Sequence, residues 1–308
     1  MWANEEILDL INWLSSFNQT QTAKKIGFYG LDVYSLWESI DAIIDYLEKI
    51  NSPTVEKAKK AIECIEPFHR QPEKYGMAAA FHDKNCFAEI QALLQTIQEN
   101  KQKYEDPEAA LNLKINAIAA SNAENYYQTM VTNDQQSWNI RDHHMAEALQ
   151  HIGDYYGPEA KGIIWAHNTH IGDARATDMV SEGMVNLGQL TREQYGQDHI
   201  FSIGFGTHHG TVIAAKQWGD RAEIMPVPKA TSGSWEYMLH SASVDNKYLI
   251  FTDKNQALFR EIIGHRAIGV TYHPELEHHG NYVPSRISER YDAFIYLDAS
   301  KALSPLVF

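Results

Sequence analysis

The chain is poor in cysteine, in basic charge and in long apolar runs, and each shortage removes a class of function. Two cysteines among 308 residues, Cys64 and Cys86, are too few for a disulfide scaffold, and without a C-x-x-C pair they offer no structural zinc site. Both sit in helix-patterned sequence and read as reduced thiols of a cytoplasmic protein. Lysine and arginine total 26 against 40 acidic residues, a formal charge of -14. Nucleic acid calls for a concentrated basic face, so it is not an expected partner. The apolar runs fall short of the ~20 residues of a membrane span. Residues 1–6, Met1-Trp-Ala-Asn-Glu-Glu, show neither the basic start nor the apolar core of an export signal. No G-x-S-x-G elbow, H-E-x-x-H pair or phosphate-binding glycine loop occurs. A hydrolase without these motifs activates water directly with histidine or carboxylate, and no cofactor or metal is expected.

Against these shortages stands one dense segment, Lys161-Gly-Ile-Ile-Trp-Ala-His-Asn-Thr-His-Ile-Gly-Asp-Ala-Arg-Ala-Thr177. A short apolar run bounded by polar residues reads as a buried strand at 162–166. In open α/β sheets, ligands bind beyond the carboxyl ends of such strands. His167 and His170 then become candidates for general acid or base, because imidazole titrates near neutrality. Asp173 is a candidate to orient one imidazole and Arg175 to hold an oxyanion or carboxylate. The plain alternative is a helix cap with satisfied surface histidines.

Periodicity divides the rest. Helix spacing runs over 5–17, 35–50, 55–65, 87–104, 107–130 and 141–155, with a bend between Pro67 and Gly76. Short strands are expected at 25–30, 200–205, 210–215, 248–251, 267–270 and 293–297, and helices at 188–195, 234–239 and 257–262. This alternation predicts an α/β fold with a mainly parallel sheet flanked by helices. The α/β core takes residues 1–50 and 156–308, and an all-helical lobe takes 51–155. Three further groups are candidates. Arg141, His144 and Glu147 share one helix face, with Asn139 or Asp142 as its cap. His208 or His209 lines the cleft if the 207–211 turn between two strands lies at the carboxyl edge, and a plain polar turn is the equal alternative. Tyr272 to Tyr282 mixes acids and histidines in a loop that suits a substrate or a metal, or simply solvent.

These residues carry a family resemblance. Gly27-Phe-Tyr-Gly-Leu-Asp-Val-Tyr34, Arg141-Asp-His-His-Met-Ala-Glu147, Trp165-Ala-His-Asn-Thr-His170 and Tyr291-Asp-Ala-Phe-Ile-Tyr-Leu-Asp298, with Met1 to Glu6, Asn186 to Leu190 and Gly204 to Thr207, follow one another as in the erythromycin esterase family. The chain resembles that family, which includes proteins labelled for succinoglycan biosynthesis. The resemblance implies water-mediated hydrolysis of an ester, with macrolide lactones and antibiotic resistance as the namesake case, in a cleft of histidines and carboxylates. It places His167 and His170 on the family's two active-site histidines and makes Asp173, Arg175, Arg141 and Glu147 supporting candidates, beside which His208 and Asp32 stand as further substrate-binding or supporting candidates. The family's G-E-x-T-H-G motif, source of the histidine proposed as base, is missing, so the chain corresponds to about the carboxyl-terminal three quarters of such a protein. A non-catalytic member that binds ligand or serves as a scaffold is the alternative. Oligomeric state is not readable from the sequence.

Overall fold

The computed structural model describes residues 3–22, 25–82, 84–100 and 104–306. Twelve α-helices occur among them. They are α1 (Glu5–Thr20), α2 (Leu36–Lys49), α3 (Val55–Ile65), α4 (Pro72–His82), α5 (Phe87–Glu99) and α6 (Pro107–Met130). The rest are α7 (Asp134–Tyr156), α8 (Asn168–Ile171), α9 (Leu187–Tyr195), α10 (Trp235–Ala242), α11 (Glu277–Gly280) and α12 (Ile287–Arg290). Strands are β1 (Ile203–Ala214), β2 (Glu223–Val227), β3 (Lys247–Ile250), β4 (Ile263–Arg266), β5 (Tyr282–Ser285) and β6 (Ala293–Ser300). Among the described residues no helix is long and apolar enough to cross a membrane. The chain forms two compact units: residues 1–29, 165–180 and 195–308, and residues 30–164 with 181–194.

The second unit is helical, and its core follows from spacing. Leu36, Ile40, Ile43 and Leu47 of α2 are fully buried because they recur every three or four residues on one face. They pack in one cluster with Ala58, Ala61 and Ile65 of α3, Ile90, Leu93 and Ile97 of α5, and Ala117, Ala120 and Tyr127 of α6. Asp106 caps α6 by accepting from the backbone N–H groups of Glu108 and Ala109, and Pro107 takes the first helical position. The expected bend is a left-handed pair, His69 and Arg70 (φ 51° and 55°), after which α4 resumes at Pro72. Of the helix expected over 87–104, residues 101–103 lie outside the described residues, as do Met1 and Trp2 of the amino-terminal match.

Cys64 and Cys86 are joined as a disulfide, with Cα atoms 5.9 Å apart, which corrects the expectation of reduced thiols. Packing of α3 beside α5 brings the two within bridging range, a proximity that a separation of 22 residues does not announce.

The first unit holds the sheets. The larger runs β2-β1-β6-β3, and β4 pairs antiparallel with β5 in a second. Only β1 and β6 are parallel, with Phe205 opposite Ile295, while β2 and β3 are antiparallel to their neighbours. The sheet is therefore mixed, and the expectation of a mainly parallel sheet is corrected. The expected strand–turn–strand over 200–215 is one continuous strand that changes partners at Gly210. There φ is 138°, and an added Cβ would lie 2.1 Å from the Ser300 carbonyl oxygen, so only glycine fits. Trp235 and Leu239 of α10 pack with Ile287, Tyr291, Phe294 and Tyr296.

Residues 25–30 and 162–166 are not strands. Ile26, Phe28, Ile163 and Trp165 are exposed, Ile163 by 98%. An apolar run becomes a strand only where a neighbour accepts its ladder, and the sheets formed here give neither run one.

Candidate active site

In the sheet-bearing unit, the turn from His167 to Arg175 is built by side chain–backbone hydrogen bonds. His167 is the N-cap of α8. Its Nδ1 accepts from the Thr169 backbone N–H (3.3 Å) and lies 2.8 Å from Thr169 Oγ1. Its Nε2 sits 3.0 Å from the Ile268 carbonyl, so this nitrogen carries the proton. The tautomer is thus set by Thr169 and a backbone carbonyl. The Asn168 side chain grips β1 by both ends, Nδ2 donating to the Phe205 carbonyl (2.6 Å) and Oδ1 accepting from its N–H (3.1 Å). This amide stands in for a strand partner on the side of β1 that β2 leaves open. His170 is buried, one helical turn on from His167. Asp173 is 4% exposed and receives Arg175 through Nε at 2.9 Å and Nη2 at 2.7 Å, a two-pronged ion pair.

His208 lies within β1 and not in a turn. It is buried, stacked on His240 at 3.7 Å with an angle of 2° between the rings. His240 Nδ1 lies 2.6 Å from Asp298 Oδ1, which also accepts from the Tyr296 hydroxyl at 2.7 Å. Burial, then the neighbouring His240, pulls the His208 pKa down to about 4, so His208 is neutral at physiological pH.

In the helical unit, Asp32 accepts from Arg141 Nε (2.9 Å) and Nη2 (2.8 Å), and the Arg141 guanidinium lies over the Tyr34 ring at 4.7 Å. Asn122 Nδ2 links His144 Nδ1 (3.1 Å) to Glu147 Oε2 (2.9 Å). Burial holds the His144 pKa below its ordinary value. Helix α7 begins at Asp134 behind the cap Asn133, so neither Asn139 nor Asp142 is a cap. Inside the helix they reach sideways instead, Asn139 to the Gly183 carbonyl and the Val185 N–H, and Asp142 to the Leu187 N–H.

The sites expected from sequence therefore form two groups. His167, His170, Asp173 and Arg175 share one turn, with His208 in β1 of the same unit, and Asp32, Arg141 and Glu147 lie in the helical unit. Sequence patterning missed a buried polar network in the sheet-bearing unit. Arg266 Nε donates to Glu277 Oε1 at 2.6 Å, and Glu277 also accepts from the Tyr272 and Tyr282 hydroxyls. The Tyr272–Tyr282 segment thus spends its central acid on structure. Glu236 is fully buried and its pKa is pushed up to about 7 by that burial. The only sequence signal for it was an acid next to Trp235 on the apolar face of α10. Among the described residues no three of His, Cys, Asp and Glu gather at metal-ligand spacing.

With this geometry in place, comparison with known proteins is decisive at the level of family. The profile of erythromycin esterases matches residues 1–300. The chain belongs to the erythromycin esterase family. A Bacillus subtilis (strain 168) protein described as a hydrolase, YbfO, is 22% identical over 97% of this chain and 68% of its own length. Among solved structures, a succinoglycan biosynthesis protein superposes with a TM-score of 0.77 at 17% identity, covering 99% of this chain and 73% of that one. A mutant of the erythromycin esterase EreC in its open conformation gives a TM-score of 0.66 at 12% identity, covering 94% and 72%. At such identities these structures establish the erythromycin esterase fold and nothing finer. Family membership suggests a hydrolase.

Proposed function

We propose that the chain hydrolyses a small-molecule ester or lactone, with the His167–His170 turn as its acid–base element. The observation that carries this reading is the fixed imidazole of His167, held on Thr169 and on the Ile268 carbonyl one helical turn from the buried His170, and we assign proton transfer to this pair. The Asp173–Arg175 pair keeps the exit of the turn fixed and sets a cation beside it. Within the helical unit, Asp32 with Arg141 and Glu147 with His144 form candidate polar groups of their own. Macrolide lactones, and with them antibiotic resistance, are the first substrates to test, because the family takes its name from them. The Cys64–Cys86 pair favours an oxidising compartment over the cytoplasm that the composition suggested.

The test is hydrolysis of nitrophenyl esters and of a macrolide by this chain and by its His170→Ala and His167→Ala variants. Turnover that falls by roughly 10²–10⁴ in His170→Ala supports the assignment. Turnover unchanged by His170→Ala overturns it, and binding without turnover in the unaltered chain turns the reading to a ligand-binding scaffold.

A further inference from the structure

Behind the histidine turn lies a buried guanidinium that the reaction itself does not need. Arg290 ends α12 and is 1% exposed, yet its hydrogen-bond partners are all neutral. Nη1 donates to Ser285 Oγ at 2.7 Å and faces His265 Nδ1 at 3.4 Å. Nη2 donates to the Asn168 carbonyl at 3.3 Å, and Nε finds no acceptor among the described residues. A buried cation with neutral partners is expensive to desolvate, so its contacts are informative. They converge on the turn. The Asn168 carbonyl also lies 3.5 Å from the Tyr291 hydroxyl, and the Asp173 N–H donates to the Arg290 carbonyl at 3.0 Å. Gly172 is in direct contact, since a Cβ there would sit 2.8 Å from Arg290 Nε. The segment carrying His167 and His170 is therefore held at Asn168, Gly172 and Asp173 by one arginine and the tyrosine that follows it.

His265 makes this clamp one-sided. Its Nδ1 faces an Arg290 N–H and can only accept, so the proton sits on Nε2, 3.2 Å from the Phe205 carbonyl and 3.4 Å from Glu236 Oε1. An imidazolium would set a second N–H against the guanidinium. Burial and the charge of Arg290 both hold the His265 pKa well below its ordinary value. The Phe205 carbonyl that His265 reaches is the one gripped by Asn168, so the arginine, the imidazole and the turn meet on one peptide of β1.

We propose that Arg290 is the positioning residue of the His167–His170 turn, with neutral His265 as its lock. The proposal rests on the reading of that turn as the acid–base element. Lysine keeps the charge but lacks the planar fork that serves Ser285, His265 and Asn168 together. Arg290→Lys is therefore expected to lower kcat by roughly 10–100-fold with KM little changed.

The deciding experiment is imidazole ¹⁵N NMR on the full chain labelled at histidine, for the unaltered protein, Arg290→Lys, Arg290→Gln and Ser285→Ala, with melting curves to verify folding. In the unaltered protein His265 is expected to remain a neutral Nε2–H tautomer from about pH 8 down to about pH 5. In the Arg290 variants His265 should begin to titrate and the His167 and His170 signals should move. Ser285→Ala, which leaves the guanidinium in place, should show a smaller version and decides the matter if the Arg290 variants do not fold. Titration of His265 near pH 6.5 in the unaltered protein overturns the proposal. So do unmoved His167 and His170 signals in folded Arg290 variants or, failing those, in Ser285→Ala. If the unaltered chain hydrolyses no ester, the functional reading fails while the spectra still decide the clamp.

Discussion

Breaking the Cys64–Cys86 bridge provides a quantitative test of the helical unit. The cysteines are 22 residues apart, and closing a loop of that length removes enough unfolded-chain entropy to stabilise the fold by about 3 kcal/mol near room temperature. Cys86 is 1% exposed in the core of that unit, and Cys64 packs against the same core. The bridge thus ties α3 to the start of α5 without leaving the region that melts cooperatively. For a domain of this size each kcal/mol moves the melting temperature by roughly 2–4 °C, so reduction should lower it by roughly 6–12 °C. The assay is thermal and urea unfolding followed by far-ultraviolet circular dichroism, with and without reductant, beside a Cys64→Ala, Cys86→Ala double variant. The variant should match the reduced protein and ignore reductant. The cross-link also keeps the unfolded chain compact, so its loss should steepen the urea dependence. Two reactive thiols in the denatured, unreduced protein, or a melting temperature indifferent to reductant, would refute the reasoning.

Three further outcomes are expected. Gly210→Ala places a Cβ 2.1 Å from the Ser300 carbonyl oxygen at a φ of 138° and should cost at least ~1–3 kcal/mol, read as a lower urea midpoint. Arg141→Lys loses the two-pronged contact with Asp32; with Asp32 partly exposed the stability change should stay near ~1 kcal/mol, while any effect on ester turnover reports a supporting role. Acid should weaken the sheet-bearing unit. Burial depresses His208 to about 4 and His265 well below 6.5, so as pH falls through 6.5 the unfolded chain gains protons that the folded one refuses, and stability drops. Glu236, raised to about 7 from 4.5 by burial, acts in the opposite sense, gaining stability as pH falls through that window. In urea titrations across pH, His208→Asn should therefore flatten the acid dependence and Glu236→Gln should steepen it; the same slope in both variants would count against these assignments.

The helical unit was largely readable from sequence because each of its elements carries its own evidence. Residues 55–65 and 107–130 were bounded correctly by apolar spacing. Helix α4 escaped because Gly76 and Pro72 look like breakers, although Pro72 stands at a helix start and Gly76 allows close approach to the Tyr127 backbone. Strands were harder, since a strand exists only through its partner. Tyr248 to Phe251 and Ala293 to Leu297 have partners and formed, whereas 162–166 had the same apolar pattern and did not. The Trp165–His170 motif located the candidate turn, but how it is held was hidden. Arg290 and His265 lie 123 and 98 residues beyond His167 by number, and nothing in local spacing joins them.

The place of β6 in the sheet has a consequence for how the protein is made. Strand β6, residues 293–300, is an inner strand flanked by β1 and β3, so a growing chain carries β1 for about 80 further residues of synthesis before its parallel neighbour is translated. Until then β1 has only β2 beside it, over residues 210–214, while β3 waits for its neighbour in the sheet, and pairing so distant in sequence is slow. The helical unit, whose core lies between Val33 and Tyr127, has its buried contacts available much earlier. Birth of the protein is thus staged, with its histidine turn fixed only after residue 290 has left the ribosome.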